Sequence, residues 1–356
     1  MSERKQVRLS DIAERLGLSK MSVSKALRNQ PDISEETRMR VKSMAEEMGY
    51  VPNLVARSLS SKRSKTLGVV LPKIAHSFFA PVLDGIHERA AEEGYEIVLT
   101  VSRERAEAER RHVETLLAMQ VDGLLVSVSQ EQPERDVYER VRELGVPLVF
   151  FDRVIEGLGF SSVTVDDRSG ARRAIEYVIE QGHEKIAHLA GYDYLNIGRE
   201  RRRGYEEALR AHDLPVREDW IVEGGIDEED GYHGFKKILE TGEVPDVLFT
   251  ITFPAGLGAL DALREVDPER VDDLQVIAFG NRGFNRYLRR PFICVEQPTR
   301  ELGRRATSVL MKEINSGRPS EAKHLVLSTG LVTLEDVQRM SYRATPHVHP
   351  VMAPQQ

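Results

Sequence analysis

Residues 10–27 read SDIAERLGLSKMSVSKAL, two short amphipathic segments separated by a glycine. A first helix can begin at Ser10, whose hydroxyl can accept a hydrogen bond from a free backbone amide, and Asp11 suits the positive first turn of a helix. Gly17 permits a turn geometry that other residues resist, and Ser19 stands where a second helix needs its cap. The pattern therefore predicts a helix-turn-helix motif.

The second helix of this motif has a clear inward side. Val23, Ala26 and Leu27 recur at spacings of three and four, and Ser34 then opens a third helix. The N-terminal part of a recognition helix reaches base edges in DNA. The outward side chains are Lys20, Met21, Ser22, Ser24 and Lys25. For the two lysines, an ordinary surface charge is the alternative interpretation.

The composition is that of a globular protein of two or three domains, with 40% hydrophobic and 30% charged residues in a chain of 356. No run approaches the roughly 18 apolar residues of a membrane span. The first residues carry no apolar secretory segment. A single cysteine, Cys294, excludes an internal disulfide. We therefore expect a cytoplasmic protein without a membrane segment.

Charge is divided unevenly along the chain. Residues 1–65 hold 14 Lys and Arg against 8 Asp and Glu, whereas residues 66–356 hold 36 against 49. A basic head attracts the phosphates of nucleic acid, and an acidic body is repelled by them. This asymmetry favours DNA contact through the head alone.

Beyond residue 66 short apolar runs alternate with amphipathic helical stretches, which predicts parallel sheets with right-handed crossovers. The first series of runs lies at 67–71, 96–101, 124–128 and 148–151. A second series begins with 162–165 and continues at 185–190, 221–222, 247–251 and 275–279. A last helix near 299–315 and a strand at 324–327 follow. Sheets of this type bind ligands at the carboxyl ends of their strands.

The head resembles the LacI/GalR family of bacterial transcriptional regulators. The match rests on SDIA at 10–13, GLS at 17–19, VSKAL at 23–27, ISEETR at 33–38, GYVPN at 49–53 and ARSL at 56–59. The resemblance implies that Lys20, Met21 and Lys25 read the major groove. It also implies that Ser22 and Ser24 hold phosphates.

The resemblance further implies a hinge helix over residues 53–61 that forms only on DNA. A segment of about nine residues cannot hold a helix alone in water, so its folding must be coupled to another event. In the family, two hinge helices pair in the minor groove and push a leucine between base pairs, which kinks the duplex. The residues implied here are Asn53, Ala56, Arg57 and Leu59. A solvated linker is the alternative.

The body carries looser family motifs: FFDR at 150–153, HEKIAHLAG at 183–191, RRRGY at 201–205 and VEQP at 295–298. They imply an all-α helix-turn-helix head with a hinge helix, joined to a two-lobed α/β body of parallel sheets, like a type I periplasmic-binding protein. The expected domains are a head at 1–50, a hinge and linker at 51–65, an effector-binding and dimerisation domain at 66–338 and a disordered tail at 339–356. The first lobe is expected at about 66–162 and 298–327, and the second at about 163–297 and 328–338.

By position in these motifs, seven residues are candidate effector contacts in the cleft between the lobes. They are His76, Phe78, Asp152, Arg201, Phe253, Asn281 and Gln297. A carboxylate and a guanidinium can grip hydroxyls or an anionic group, and an aromatic ring can stack on a ligand ring. The alternatives are a salt bridge from Asp152 to Arg153 or Arg168, a surface position for Arg201, and a purely structural tie at Gln297.

Two segments depart from the family pattern. Where sugar-binding relatives often have hydroxyl-gripping carboxylates, this chain has Thr252-Phe253-Pro254 and Ala278-Phe279-Gly280-Asn281. A neutral monosaccharide held in the usual way is therefore less expected, although Asn281 could substitute. The hypothesis from the sequence is a phosphorylated or otherwise anionic sugar derivative held partly by Arg201.

These observations predict a sequence-specific DNA-binding regulator, a repressor whose operator affinity is controlled by a sugar or sugar derivative. Its expected partners are a pseudo-palindromic double-stranded operator, the small-molecule effector and a second copy in a homodimer. Control by a protein partner or corepressor, or a solute-binding protein without a DNA role, are the alternatives. No catalytic motif or cofactor site is expected. No metal site is expected either, since the histidines His347 and His349 stand in a proline-rich tail.

Overall fold

The computed structural model describes residues 7–50, 63–75, 77–132, 134–280, 282–316 and 321–336. The chain divides into two compact units, residues 1–64 and 65–356. The division falls within the segment expected to be hinge and linker. Most of that segment, like the tail expected at 339–356, lies outside the described residues.

The described part of the first unit is a bundle of α1 (Leu9–Leu16), α2 (Lys20–Leu27) and α3 (Glu35–Glu47). Its core holds Ile12, Ala13, Val23, Ala26, Val41 and Ala45, all buried. Ser19 caps α2 by accepting a hydrogen bond from the Ser22 amide at 3.0 Å. Gly17 ends α1 in the left-handed conformation at φ 65°. The predicted helix-turn-helix is confirmed.

The start of α1 differs from the prediction. The helix begins at Leu9, one residue before the expected cap Ser10. The amide of Arg8 donates to the Asp11 carboxylate at 2.9 Å. Asp11 therefore does the capping, because its side chain reaches back three residues to the free amide at the helix entrance.

In the second unit, a first lobe is built on a six-stranded, all-parallel sheet within the described residues. Its strands run in the order β11, β5, β4, β3, β1, β2, with helices on both faces. The elements are β1 (Thr66–Leu71), α4 (Phe79–Glu92), β2 (Glu96–Val101), α5 (Ala106–Ala118), β3 (Gly123–Val126), α6 (Asp136–Glu143), β4 (Leu148–Phe151), β5 (Ser161–Val165), α11 (Thr299–Ser316) and β11 (His324–Leu327).

A second lobe holds another six strands within the described residues, in the order β12, β10, β9, β8, β6, β7. Its elements are α7 (Asp167–Glu180), β6 (Ile186–Gly191), α8 (Asn196–Ala211), β7 (Ile221–Gly224), α9 (Glu228–Leu239), β8 (Val247–Thr250), α10 (Phe253–Val266), β9 (Gln275–Phe279), β10 (Ile293–Glu296) and β12 (Gly330–Val332). Short 3-10 helices lie at Glu218–Trp220, Pro268–Arg270 and Arg282–Tyr287.

Two details of the sheets correct the sequence prediction. The strand expected to open the second series is β5, which pairs with β4 and β11 in the first lobe, so the second lobe begins after Val165 and not at residue 163. The second sheet is not wholly parallel, because β12 runs antiparallel to β10. β12 is only three residues long, and an apolar run of that length does not indicate a strand.

The chain passes between the lobes at three places. It leaves the first lobe after Val165, returns after Glu296, and leaves again after Leu327. The last passage is braced by Arg173, whose guanidinium donates to the backbone oxygen and the hydroxyl of Thr329 at 2.8 and 2.9 Å.

Glycines let α4 and α11 cross with their backbones in contact. A Cβ added to Gly85 would lie 2.1 Å from the Arg300 carbonyl oxygen, and one added to Gly303 would lie 2.1 Å from that of Val82. No side chain fits at such distances, so the returning helix α11 is fixed to the first lobe at this crossing.

We expect Gly303→Ala to lower the free energy of unfolding by about 1 to 3 kcal/mol, because the added methyl group forces the two helices apart. Urea unfolding followed by circular dichroism measures this. Lys312→Ala, an exposed change on the same helix, is the control and should leave stability nearly unchanged. Equal stability of the two variants would contradict the crossing geometry.

Candidate DNA-reading head and ligand cleft

The predicted DNA-reading residues lie on α2 and its exposed N-terminal end. Lys20 and Met21 are exposed, and 68% of the Met21 surface is accessible. Ser22, Ser24 and Lys25 are half-buried, and the hydroxyl of Ser22 lies 2.9 Å from that of Ser19. A methionine this exposed contributes little to the bundle, so it is available for contacts outside the head.

Lys25 has a partner that the sequence did not indicate. Its ammonium nitrogen lies 2.5 Å from the Asp32 carboxylate, in the loop between α2 and α3. The hinge residues Asn53, Ala56, Arg57 and Leu59 lie outside the described residues, and their roles remain predictions.

In the body, Asp152 lies at the carboxyl end of β4 and is buried, with 7% of its surface exposed. Its φ of 60° is in the left-handed region. One Oδ accepts a long hydrogen bond of 3.4 Å from the Ser127 hydroxyl and lies 3.9 Å from Nε of Arg153. Burial raises the pKa of Asp152 to about 6, although Arg153 and Arg201 oppose the shift. Its carboxylate therefore keeps acceptor capacity that a ligand hydroxyl could use.

Arg201, on α8, is buried rather than a surface cation, with 2% of its surface exposed. Its guanidinium donates from Nε to Asp167 at 2.7 Å and from Nη1 to the Ile251 carbonyl at 2.5 Å, and it lies 3.7 Å from the centre of the Phe279 ring. Burial raises the pKa of Asp167 even with this cation beside it. The pair and the aromatic stack hold Arg201 in place within the second lobe.

Arg153 makes a further buried pair that sequence reasoning missed. Its guanidinium holds both carboxylate oxygens of Glu104, at 2.8 and 3.2 Å. The alternative partner of Asp152, Arg168, instead pairs with Glu207 at the surface. Glu104, Asp152, Arg153, Asp167 and Arg201 together form what we call the ionic cluster, which holds three carboxylates and two guanidinium groups. The FFDR motif indicated two of its members, but nothing local to residue 104 predicts its role.

A small cavity of about 70 Å³ lies beside the passage from β10 to α11. Phe78 and Gln297, both predicted, line it with Ser77, Gly280, Glu296 and Thr299. Phe253 is buried at the start of α10, where its ring centre lies 4.7 Å from that of Phe292. His76 and Asn281 lie outside the described residues.

Several polar contacts join the two lobes across the cleft. The Asn196 amide donates to the Asp152 carbonyl oxygen at 2.9 Å and its oxygen accepts from the Val154 amide at 3.0 Å. Lys73 pairs with Asp227 at 2.5 Å. The sequence did not indicate the role of Asn196, because an asparagine at the start of a helix is too common to suggest a contact between lobes.

Among the described residues, no group of three or more His, Cys, Asp or Glu side chains is placed to hold a metal ion. None of the helices described is long and apolar enough to cross a membrane.

A helix-turn-helix head on a two-lobed body with an interlobe cleft defines the class of ligand-responsive DNA-binding regulators. Comparison with known families gives two matches: "Bacterial regulatory proteins, lacI family" over residues 8–53, and "Periplasmic binding proteins and sugar binding domain of LacI family" over residues 64–329. The chain belongs to the LacI family, which confirms the resemblance inferred from its motifs.

Individual relatives are similar over nearly their whole length. The chain is 27% identical to the probable HTH-type transcriptional repressor ExuR of Bacillus subtilis, over 94% of this chain and 99% of that protein. It is 31% identical to catabolite control protein A of Priestia megaterium, over 87% and 93%. The solved Lac repressor dimer bound to operator and the anti-inducer ONPF is 26% identical, with a TM-score of 0.80 over 92% and 98% of the two chains. Two of these three proteins are named as repressors, and the third as a control protein.

The raised pKa of Asp152 has a consequence for stability. Because burial raises this pKa from 3.8 to about 6, the folded state binds the proton more tightly than the unfolded chain does. Ionisation of Asp152 therefore lowers the free energy of unfolding as the pH rises from 3.8 to about 6, and this loss is complete at higher pH. We expect Asp152→Asn to raise the free energy of unfolding near pH 8 by on the order of 1 to 3 kcal/mol, and by less near pH 5.

Urea unfolding of parent and variant at both pH values measures this difference. Asp193→Asn, which changes an exposed carboxylate before α8, is the control and should show no pH-dependent gain. Destabilisation by Asp152→Asn near pH 8 would contradict the argument.

Proposed function

We propose that this protein is a dimeric repressor that binds a pseudo-palindromic operator through its head and is controlled by a sugar in the cleft of its body. The observation that carries the proposal is the joining, in one chain, of a capped helix-turn-helix with an exposed recognition end to a LacI-type sugar-binding body. A repressor of this kind works in the cytoplasm. Its proposed role involves no catalytic step.

On the DNA side, Lys20, Met21 and Lys25 are the proposed readers of base edges, and Ser22 and Ser24 the proposed phosphate contacts. The exposure of Lys20 and Met21 supports this assignment. A lysine can donate to guanine O6 and N7, and an apolar side chain can contact a thymine methyl group. Asn53, Ala56, Arg57 and Leu59 complete the proposed interface as a minor-groove hinge.

We expect Lys20→Ala to weaken operator binding about tenfold or more, because one good base contact contributes about 1 to 3 kcal/mol of discrimination. The operator is first selected from a random duplex library with the parent protein, and affinity is then measured by fluorescence anisotropy. Lys42→Ala removes an exposed lysine from α3 and is the matched control. An equal loss of operator affinity in both variants would show that Lys20 acts only as a general surface charge. Failure of the parent to enrich any sequence would refute the DNA-binding role itself.

The ligand proposed for the cleft is a hydroxyl-rich, uncharged sugar. The ionic cluster has one more carboxylate than guanidinium groups, and both guanidinium groups already hold carboxylates. This arrangement argues against the anionic ligand gripped by Arg201 that the sequence suggested. Asp152, whose carboxylate accepts one long hydrogen bond, is the proposed acceptor for sugar hydroxyls. Arg201 is proposed to hold the base of the cleft in place.

Phe78, Phe253 and Gln297 are proposed as further walls of the site, with His76 and Asn281. A ligand that moved the lobes apart would break contacts between them, such as that of Lys73 with Asp227. A shift of this kind is a physical route from the cleft to operator affinity, with a coupling of typically about 1 to 3 kcal/mol.

We expect calorimetry with a panel of neutral sugars and their phosphates and uronic acids to find binding among the neutral members. Asp152→Asn should weaken that binding about tenfold or more, because an amide replaces a charged acceptor. Asp193→Asn is the control with the same chemical change at an exposed site. Tight binding of only anionic sugars, unaffected by Asp152→Asn, would reject this ligand class.

A further inference from the structure

The loop between α2 and α3 places a carboxylate beside a lysine proposed to read DNA. Asp32 lies 2.5 Å from the Lys25 ammonium, and the two side chains are 52% and 37% exposed. Repulsion between a carboxylate and phosphates disfavours DNA binding. An acidic residue in contact with a reading side chain therefore needs a physical explanation.

The position of Asp32 is set by the loop that carries it. Arg38, on α3, donates from Nη2 to the carbonyl oxygens of Gln30 and Ile33, at 3.3 and 3.1 Å, on either side of Asp32. Its Nη1 also pairs with Glu35 at 2.5 Å. The carboxylate is thus held by a braced backbone, and it can act as a fixed anchor for a flexible partner.

Lysine is a point charge on a flexible four-carbon stem, so a free lysine on a reading helix can turn to any phosphate. An ammonium has three donors, and a single carboxylate oxygen takes one of them. Lys25 therefore keeps donors for a base edge while Asp32 limits where the ammonium can go.

We propose that Asp32 is a positioning residue for DNA recognition: it holds Lys25 toward the bases and away from phosphates, and so raises the preference for operator over other DNA. This inference rests on the proposed function. It assigns to Asp32 an effect exerted through Lys25, without a contact of Asp32 itself with a base.

The test compares the parent with Asp32→Asn, measuring affinity for the selected operator and for a random-sequence duplex of the same length over a range of salt concentrations. Asp32→Asn should bind the random duplex several-fold more tightly and with a steeper salt dependence, by about one unit of slope, because Lys25 gains a phosphate. Operator affinity should fall, so that the ratio of the two affinities drops about tenfold or more. Repeating the selection with Asp32→Asn should show relaxed preference at one base pair per half-site.

Glu47→Gln, which removes an exposed carboxylate from α3, controls for the change in net charge. In a Lys25→Met background, Asp32→Asn should leave the ratio of affinities unchanged. Circular dichroism melting checks that each variant head is folded.

The proposal is overturned if Asp32→Asn behaves like Glu47→Gln. It is also overturned if the variant binds operator more tightly than the parent, since Asp32 would then compete with DNA. Persistence of the effect in the Lys25→Met background would show a direct base contact and overturn it as well. Absence of any selected sequence for the parent would instead be a failure of the proposed function.

Discussion

The buried pair of Asp167 and Arg201 is the interaction around which the ligand-binding body is arranged. A charge removed from water must be paired and hydrogen-bonded, or the fold loses several kcal/mol. Asp167 is the first residue of α7, directly after the chain enters the second lobe, and Arg201 reaches it from α8. Asp152, at the edge of the other lobe, pairs with Arg153 at 3.9 Å and accepts one long hydrogen bond, from the Ser127 hydroxyl.

The ion pairs Arg201–Asp167 and Lys25–Asp32 differ in burial, and this difference decides what each pair can do. Arg201 and Asp167 are each at most 4% exposed, and neither can exchange its partner for water. Lys25 and Asp32 are about half-exposed, where water and salt screen the attraction and a pair contributes little to stability. The buried pair fixes structure, whereas the exposed pair can share its cation with an approaching ligand.

Much of this fold could be predicted from sequence, because long alternating segments and well-defined caps have strong local signals. Strands β2, β4, β9 and β11 lie where the apolar runs placed them. The sheet to which β5 belongs was not predictable from periodicity, since membership depends on contacts with β11, more than 150 residues later. In the site, motifs located Asp152 and Arg201. Glu104, the partner of Arg153, and Asp167, the partner of Arg201, could not be found from the sequence, because folding alone brings these residues together.

The three passages between the lobes limit how the lobes can move. They leave from neighbouring strands, β5 beside β11 in one sheet and β10 beside β12 in the other. Connections gathered along one edge resist sliding but allow turning about an axis that runs through them. A ligand that binds away from this axis and widens the cleft by the size of one sugar ring would therefore turn one lobe as a rigid body against the other.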